Sequence, residues 1–152
     1  MIEIRTIPGD SNDALALVRA MFDDVVAAYG TALGPGPSAT PTNFSPPDGR
    51  FVALYEDGRA VAGGGVKRLD DDTGEIKRMY VVPEARGRGL SRRLLAALED
   101  AARELGYRRV RLDTGSHDAQ AAARRLYPSA GYSEIADYNS NPYASYWAEK
   151  WL

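Results

Sequence analysis

A chain of 152 residues, 44% hydrophobic and 26% charged, carries enough apolar material for one core of ordinary size and leads us to expect a single domain over 1–152. The net charge of -2 at pH 7 excludes a broadly basic nucleic-acid surface, and the lack of cysteine excludes disulfides, thiolate metal sites and a cysteine nucleophile. No apolar run approaches the ~18 residues of a membrane span, and the opening Met-Ile-Glu-Ile-Arg lacks the basic-then-apolar start of a signal peptide, so a cytoplasmic protein with no membrane partner is expected.

Ile2, Ile4 and Thr6 alternate with Glu3 and Arg5 and predict a first strand ended by Pro8 and Gly9. Asp10, Ser11, Asn12 and Asp13 offer N-caps to an amphipathic helix carrying Leu15, Val18, Phe22, Val25 and Tyr29, which Gly30 stops. The stretch 34–49 is rich in Pro, Gly, Ser and Thr and reads as a loop, long for a compact domain and therefore a candidate functional segment. Phe51 to Tyr55 and Ala60 to Leu69 read as strands joined by a tight Asp57-Gly58 hairpin turn. Gly63-Gly64-Gly65, inside the second of them, reads first as a bulge or close strand crossing and second as a backbone approach to substrate. Asp70-Asp71-Asp72-Thr73-Gly74 makes the next turn; its spacing matches no metal loop, and no metal is expected.

Glu75 to Val82 alternates as a strand and Pro83 stops it, while Leu90, Leu94 and Leu98 mark a helix from about Arg88 to Leu105, ended by Gly106. Between them lies a glycine turn, Glu84-Ala85-Arg86-Gly87-Arg88-Gly89-Leu90-Ser91. Gly87 and Gly89 admit positive φ and a close ligand, and the exposed N–H groups of the first helical turn, at the positive end of the helix dipole, favour an anion. Arg86, Arg88, Arg92 and Arg93 add positive charge, so the expected ligand carries phosphate. The turn does not end in Gly-Lys-Ser/Thr, which excludes a Walker A loop. Arg92 stands where a dinucleotide fingerprint has its third glycine, although Asp113 imitates the ribose-binding acid, so a nucleotide-binding regulator stays as one reading. Arg108 to Thr114 forms the following strand, and strand, helix, strand in this order is a right-handed crossover between parallel neighbours. A short helix from about Ala119 to Ala130, stopped by Gly131, and two closing strands, Tyr132 to Ala136 and Ser145 to Leu152, complete the chain.

Val81 to Ser91 resembles motif A of the GNAT superfamily of acyl-CoA-dependent N-acetyltransferases, whose turn reads Q/R-x-x-G-x-G/A. Arg86, Gly89 and Ser91 hold its defining positions, with Ser91 where Gly or Ala is usual. Gln120 to Tyr132 resembles motif B, usually N-x-x-A-x-x-L-Y-E-x-x-G-F, through Ala123, Leu126, Tyr127 and Gly131, with Gln120 for Asn and Tyr132 for Phe. Glu75 to Val81, Leu112-Asp113-Thr114 and Tyr138 to Pro142 resemble a common bacterial branch. The resemblance runs from about Phe51 to the C-terminus and implies an α/β (α+β) fold: a mixed, mostly antiparallel sheet with a splayed parallel central strand pair, flanked by helices.

The resemblance further implies acetyl-CoA as cosubstrate, its pyrophosphate on the N–H groups of Gly87, Arg88, Gly89, Leu90 and Ser91 with Arg86 nearby. The pantetheine arm would pair with backbone at Met79, Tyr80 and Val81, and the Val81 N–H would face the thioester oxygen as negative charge develops there. An attacking amine must be neutral, and a lysine-like amine has a pKa near ~10.4, so a base is useful. Glu75 is the first choice, acting through water; its other readings are an exposed strand glutamate or a partner for Arg78. Asp113 is the second, its other reading being a bond to backbone where the sheet opens. Tyr127 matches the motif B tyrosine that gives the leaving thiolate its proton, against a plain core tyrosine. Pro128 removes a backbone N–H and disfavours helical geometry at Tyr127, a departure that bears on where the phenol lies. His117, the sole histidine, reads as a surface loop residue before it reads as a base. The acceptor is expected to be the primary amine of a small molecule, with a protein lysine or N-terminus second and a CoA-binding module without turnover third. Its site is placed between 34–49 and Tyr138 to Tyr143, with Phe44, Tyr138 and Tyr143 holding the ammonium by cation–π attraction; in the alternative the first loop is a connection and the tyrosines cover the sheet edge. No nucleic-acid partner is expected, and the chain is compatible with a homodimer.

Overall fold

The structure, a computed structural model, describes residues 1–30, 39–115 and 121–152. Strands β1 (Ile2–Ile7), β2 (Arg50–Glu56), β3 (Arg59–Arg68), β4 (Thr73–Val81), β5 (Arg109–Thr114), β6 (Ser133–Ile135) and β7 (Tyr146–Trp151) form one sheet, ordered β1-β2-β3-β4-β5-β7-β6. The helices are α1 (Asn12–Tyr29), α2 (Leu90–Glu104) and α3 (Ala121–Ser129). Neighbouring strands run antiparallel except β4 and β5, which are parallel as the crossover through α2 requires.

The element boundaries follow local chemistry. Ser11 caps α1 by accepting from the Ala14 N–H, and Gly30, at φ 75°, closes it with its own N–H on Val26 O at 2.9 Å. Asp57 and Gly58 take φ of 50° and 80°, the left-handed pair that a two-residue hairpin needs. β1 lies at the sheet edge and leaves Ile4 48% exposed, because α2 packs on β2 to β5 and stops short of it. The stretch read as a loop contains a single turn of 3-10 helix, Pro41–Phe44, held by the Thr40 N–H on Asn43 Oδ1 at 2.8 Å. Residues 34–38 of that stretch lie outside the described residues.

Gly63, Gly64 and Gly65 let both faces of the sheet be packed at close range, with the bulge that their pattern suggested. A Cβ on Gly63 would stand 2.7 Å from Leu17 of α1, on Gly64 3.0 Å from Leu98 of α2, and on Gly65 2.2 Å from the Phe44 ring. Phe44 is 1% exposed and meets Phe51 edge-on at 6.4 Å. We predict that Gly65→Ala lowers stability by at least about 2 kcal/mol, since a core ring must leave its place. The check is a urea titration in which the midpoint falls and the slope is unchanged.

Candidate active site

β4 and β5 pair only at Thr73–Arg109, Gly74–Val110 and Glu75–Arg111. Beyond Glu75 the two strands part, β4 continuing to Val81 alone on that side, so the sheet opens into a gap. The Val82 N–H donates to Val61 O of β3 at 2.9 Å, and strand alternation therefore turns the N–H and C=O of Val81 away from β3, toward the gap. Within β4, Gly63 faces Tyr80 while Gly65 faces Lys77, so the chain bulges at Arg78, whose φ is 61°. The bulge places side chains on both sides of the opening. Lys77, Arg78 and Tyr80 lie toward α1 and the 3-10 turn, and Met79 lies toward α2 and α3.

The glycine turn closes one end of the gap. Gly87 and Gly89 take φ of 77° and 76°, and a Cβ on either would meet no atom within 4 Å. Among the described residues, no acceptor is found for the N–H groups of Gly87, Arg88, Gly89, Leu90 and Ser91, whereas the Leu90 side chain is buried and anchors the turn. This is an open row of donors at a helix N-terminus. Its arginines are occupied: Arg86 donates to Val81 O at 2.9 Å and pairs with Asp24 at 3.1 Å, Arg88 bonds Glu56 at 3.0 Å, and Arg92 donates to Ser129 at 2.7 Å. The Asp24 and Glu56 pairs lie in solvent, where an ion pair is worth about 0–1 kcal/mol, so either arginine can exchange its acid for a phosphate at little cost.

At the other end stand Glu75 and Asp113. Glu75 is 4% exposed and Arg78 points elsewhere, which corrects both alternative readings of Glu75. Its Oε2 accepts from the Tyr138 hydroxyl at 2.6 Å and Asn139 Nδ2 at 3.1 Å, while Oε1 faces Lys67 Nζ at 3.6 Å. Lys77 Nζ bridges Glu75 and Asp113 at 3.7 Å and 3.6 Å. Asp113 accepts from the side chains of Asn139 and Asn141, where a bond to backbone was expected. Trp147 Nε1 donates to Asn139 Oδ1 at 2.9 Å and holds the amide in place. Strand alternation explains the grouping: Lys67 lies opposite Glu75, and Asp113 is two residues on from Arg111, the parallel partner of Glu75. Lys67, Lys77 and Trp147 were given no role from the sequence, and Asn139 was placed only as part of the acceptor segment Tyr138 to Tyr143. The available signal was charge at alternate positions of central strands.

The proposed ammonium cage is corrected in two of its three members. Phe44 is a core side chain and cannot face a ligand. Tyr138 gives its hydroxyl to Glu75, and its ring already carries Arg111, 5.5 Å from the centroid. Burial, and then the Glu75 charge, push the Tyr138 phenol well above its ordinary pKa, which keeps it a donor. Tyr143 has its N–H on Asn141 Oδ1 at 3.1 Å.

Tyr127 stays helical despite Pro128, which stands in the last turn of α3, one residue before its end. The Ala130 N–H reaches Leu126 O at 3.0 Å, the Tyr132 N–H reaches Tyr127 O at 3.0 Å, and Gly131 takes φ of 95°. The Tyr127 ring is 6% exposed, stacks on Tyr146 at 6.4 Å and leans on Tyr132 at 5.7 Å. Its hydroxyl donates to Met79 Sδ at 3.8 Å, which sets it against a side chain of β4 where the strand runs along the gap. Burial pushes this phenol too above its ordinary pKa, with the Asp113 charge adding to the shift. His117 and Gln120 lie outside the described residues. Among the described residues, no group of three metal-ligating side chains occurs and no helix is long and apolar enough to cross a membrane.

The model of the acetyltransferase (GNAT) family matches residues 12–132. The chain is 30% identical over 145 residues to the uncharacterized N-acetyltransferase YjgM of Escherichia coli (strain K12), covering 89% of this chain and 83% of that protein. A solved structure from Klebsiella pneumoniae subsp. pneumoniae MGH 78578, assigned as an acyl-CoA N-acyltransferase, matches with a TM-score of 0.77 at 30% identity, covering 100% of this chain and 98% of that one. The PaiA N-acetyltransferase of Thermoplasma acidophilum, solved in complex with coenzyme A, shares the fold with a TM-score of 0.73 at 18% identity, covering 100% of this chain and 99% of that one. With the opened sheet, the glycine turn and α3 all inside the matched region, the chain belongs to the acetyltransferase (GNAT) family and is an acyltransferase.

Proposed function

We propose that this enzyme transfers acetyl from acetyl-CoA to the primary amine of a small molecule, by direct attack in a ternary complex. The observation that carries the reading is the Val81 N–H, turned into a gap that has Tyr127 on one side and Glu75 on the other. The open donors of Gly87, Arg88, Gly89, Leu90 and Ser91 suit a pyrophosphate, with Arg86 and Arg88 supplying charge. The unpaired edge of β4 at Met79, Tyr80 and Val81 suits an amide-bearing arm that pairs as a strand does.

Acetyl-CoA supplies the thioester, and the chain supplies three things to it. The Val81 N–H stabilises charge developing on the carbonyl oxygen. Glu75 takes the amine proton through a chain of waters that starts at Oε1, since Tyr138 and Asn139 occupy Oε2 and Val81 lies six residues away along the strand. Tyr127 hydrogen-bonds the departing sulfur. Its raised pKa makes it a weaker acid than an ordinary thiol, near ~8.5, so it stabilises the thiolate as a donor and keeps its proton. A small acceptor is favoured because residues 138–141 strap over Glu75 and Asp113 and narrow the approach to them.

The test pairs calorimetric binding of acetyl-CoA with a free-thiol assay over small amines, peptides and no amine. Thiol release with small amines is the expected result. Release with peptides alone moves the acceptor to proteins, and binding without release under every condition leaves only a CoA-binding module.

We predict that Glu75→Gln depresses kcat/KM most at the low-pH end of the profile, where neutral amine is scarce. It also lowers stability by about 2–3 kcal/mol, because Lys67 and Lys77 lose a carboxylate that is itself buried. Thermal melts and a pH–rate profile read the two effects separately.

A further inference from the structure

Of the cations along the opened strands, Lys67, Lys77, Arg86, Arg109 and Arg111 each face a carboxylate. Arg78 does not. Among the described residues no acid lies within ion-pairing distance of its guanidinium, which donates to Ala39 O and lies 5.1 Å from the Phe44 centroid and 5.6 Å from that of Phe22. The guanidinium is half-buried, and burial with no opposing charge pulls its pKa below the ordinary value.

Two unfavourable terms therefore meet at one residue. A left-handed φ of 61° costs an arginine roughly 1–2 kcal/mol, and a desolvated charge meets no counter-ion among the described residues. Neither helps the fold, since a neutral residue would remove the second and glycine both. Strain of this kind is retained where it holds a group at a working position. Arg78 lies three residues from Glu75 and three from Val81, roughly 10 Å of strand either way, midway between the proposed base and the proposed oxyanion donor. Its bulge turns it to the face that carries Lys77 and Tyr80. Arg78 is itself partly exposed and the Phe22 ring beside it is 49% exposed, so solvent reaches this flank of the site.

We propose that Arg78 anchors the acceptor, so that the amine acetylated by this enzyme carries a carboxylate, as an α-amino acid does. The inference rests on the acetyltransferase reading and adds the acceptor's chemical class. A guanidinium has five N–H donors in a planar fork, and Ala39 O uses one edge of it. The rest suits the two oxygens of one carboxylate, which would also supply the missing counter-charge. One such anion balances one cation. A phosphate dianion would leave surplus charge, because Lys77 is committed to Glu75 and Asp113.

The experiment compares the twenty L-amino acids with their α-amides in the free-thiol assay, for wild type, Arg78→Gln and Arg78→Lys. Wild type is expected to prefer at least one acid over its amide by about 100-fold in kcat/KM. Arg78→Gln should erase that preference through KM while acetyl-CoA affinity, measured separately, stays within about 3-fold; Arg78→Lys should restore part of it. Equal kcat/KM for acids and amides in wild type, or a preference that survives in folded Arg78→Gln, overturns the proposal. Should no amine at all be acetylated, the transfer reading fails first. Calorimetry of the same amino acids against the CoA-bound protein then decides: carboxylate binding lost in Arg78→Gln and kept in Arg78→Lys upholds the anchor, and no such binding overturns it.

Discussion

Gly89→Asp is expected to raise the dissociation constant for acetyl-CoA at least ~100-fold while leaving the protein folded. The space around Gly89 is open, so the new Cβ displaces nothing, and aspartate is among the few residues that tolerate φ near 76°. Gly89 is also the N-cap of α2. A carboxylate there accepts from the N–H groups of the first turn, the donors assigned to pyrophosphate, and repels the ligand's own charge. The same bond supports the helix, so the melting midpoint should stay within a few degrees of wild type. Gly89→Asn separates the causes, since it adds similar bulk and capping without charge. Calorimetry on the three proteins checks this, and near-normal affinity in folded Gly89→Asp would remove the glycine turn from the cofactor site.

Tyr127→Phe is expected to lower kcat by about 10²–10³-fold and to change acetyl-CoA affinity by less than about 3-fold. The ring keeps its contacts with Tyr146 and Tyr132, and the one bond lost, to Met79 Sδ at 3.8 Å, is weak. What disappears is a donor to charge that exists only as the sulfur leaves. The pH dependence follows from the direction of the shift. A pKa raised above the ordinary value of 10.0 means that the phenol holds its proton to higher pH, so wild-type turnover loses nothing to Tyr127 ionisation up to about pH 10. A falling limb below that pH which vanishes in Tyr127→Phe would contradict the role, as would wild-type kcat in the variant.

Much of the scaffold was legible because its signals are local. Alternation from Glu75 to Val82, the stop at Pro83 and the leucines of α2 are read within one or two turns of chain, and a turn pair such as Asp57-Gly58 needs no distant partner at all. The family resemblance was legible for the same reason, since each of its two motifs is one contiguous stretch. The Pro41–Phe44 turn was missed: proline and threonine mark it as irregular, and nothing nearby tells that Phe44 closes over a glycine of β3.

By itself, then, the sequence determined the order of elements, the donor-rich glycine turn and the candidacy of Glu75 and Tyr127, because periodicity, turn chemistry and helix termini are properties of neighbouring residues. Only the tertiary structure decided what those residues meet. Tyr138 reaches Glu75 across 63 residues of chain because β5 stands next to β4 and β7 next to β5 in the sheet, and Phe44 becomes core rather than ligand cage because Gly65 leaves room for its ring. Arg78 shows the limit most plainly: three residues from Glu75 in the sequence it looks like half of an ion pair, and a one-residue bulge turns it instead toward Phe22 of α1, where among the described residues no acid lies within ion-pairing distance of it.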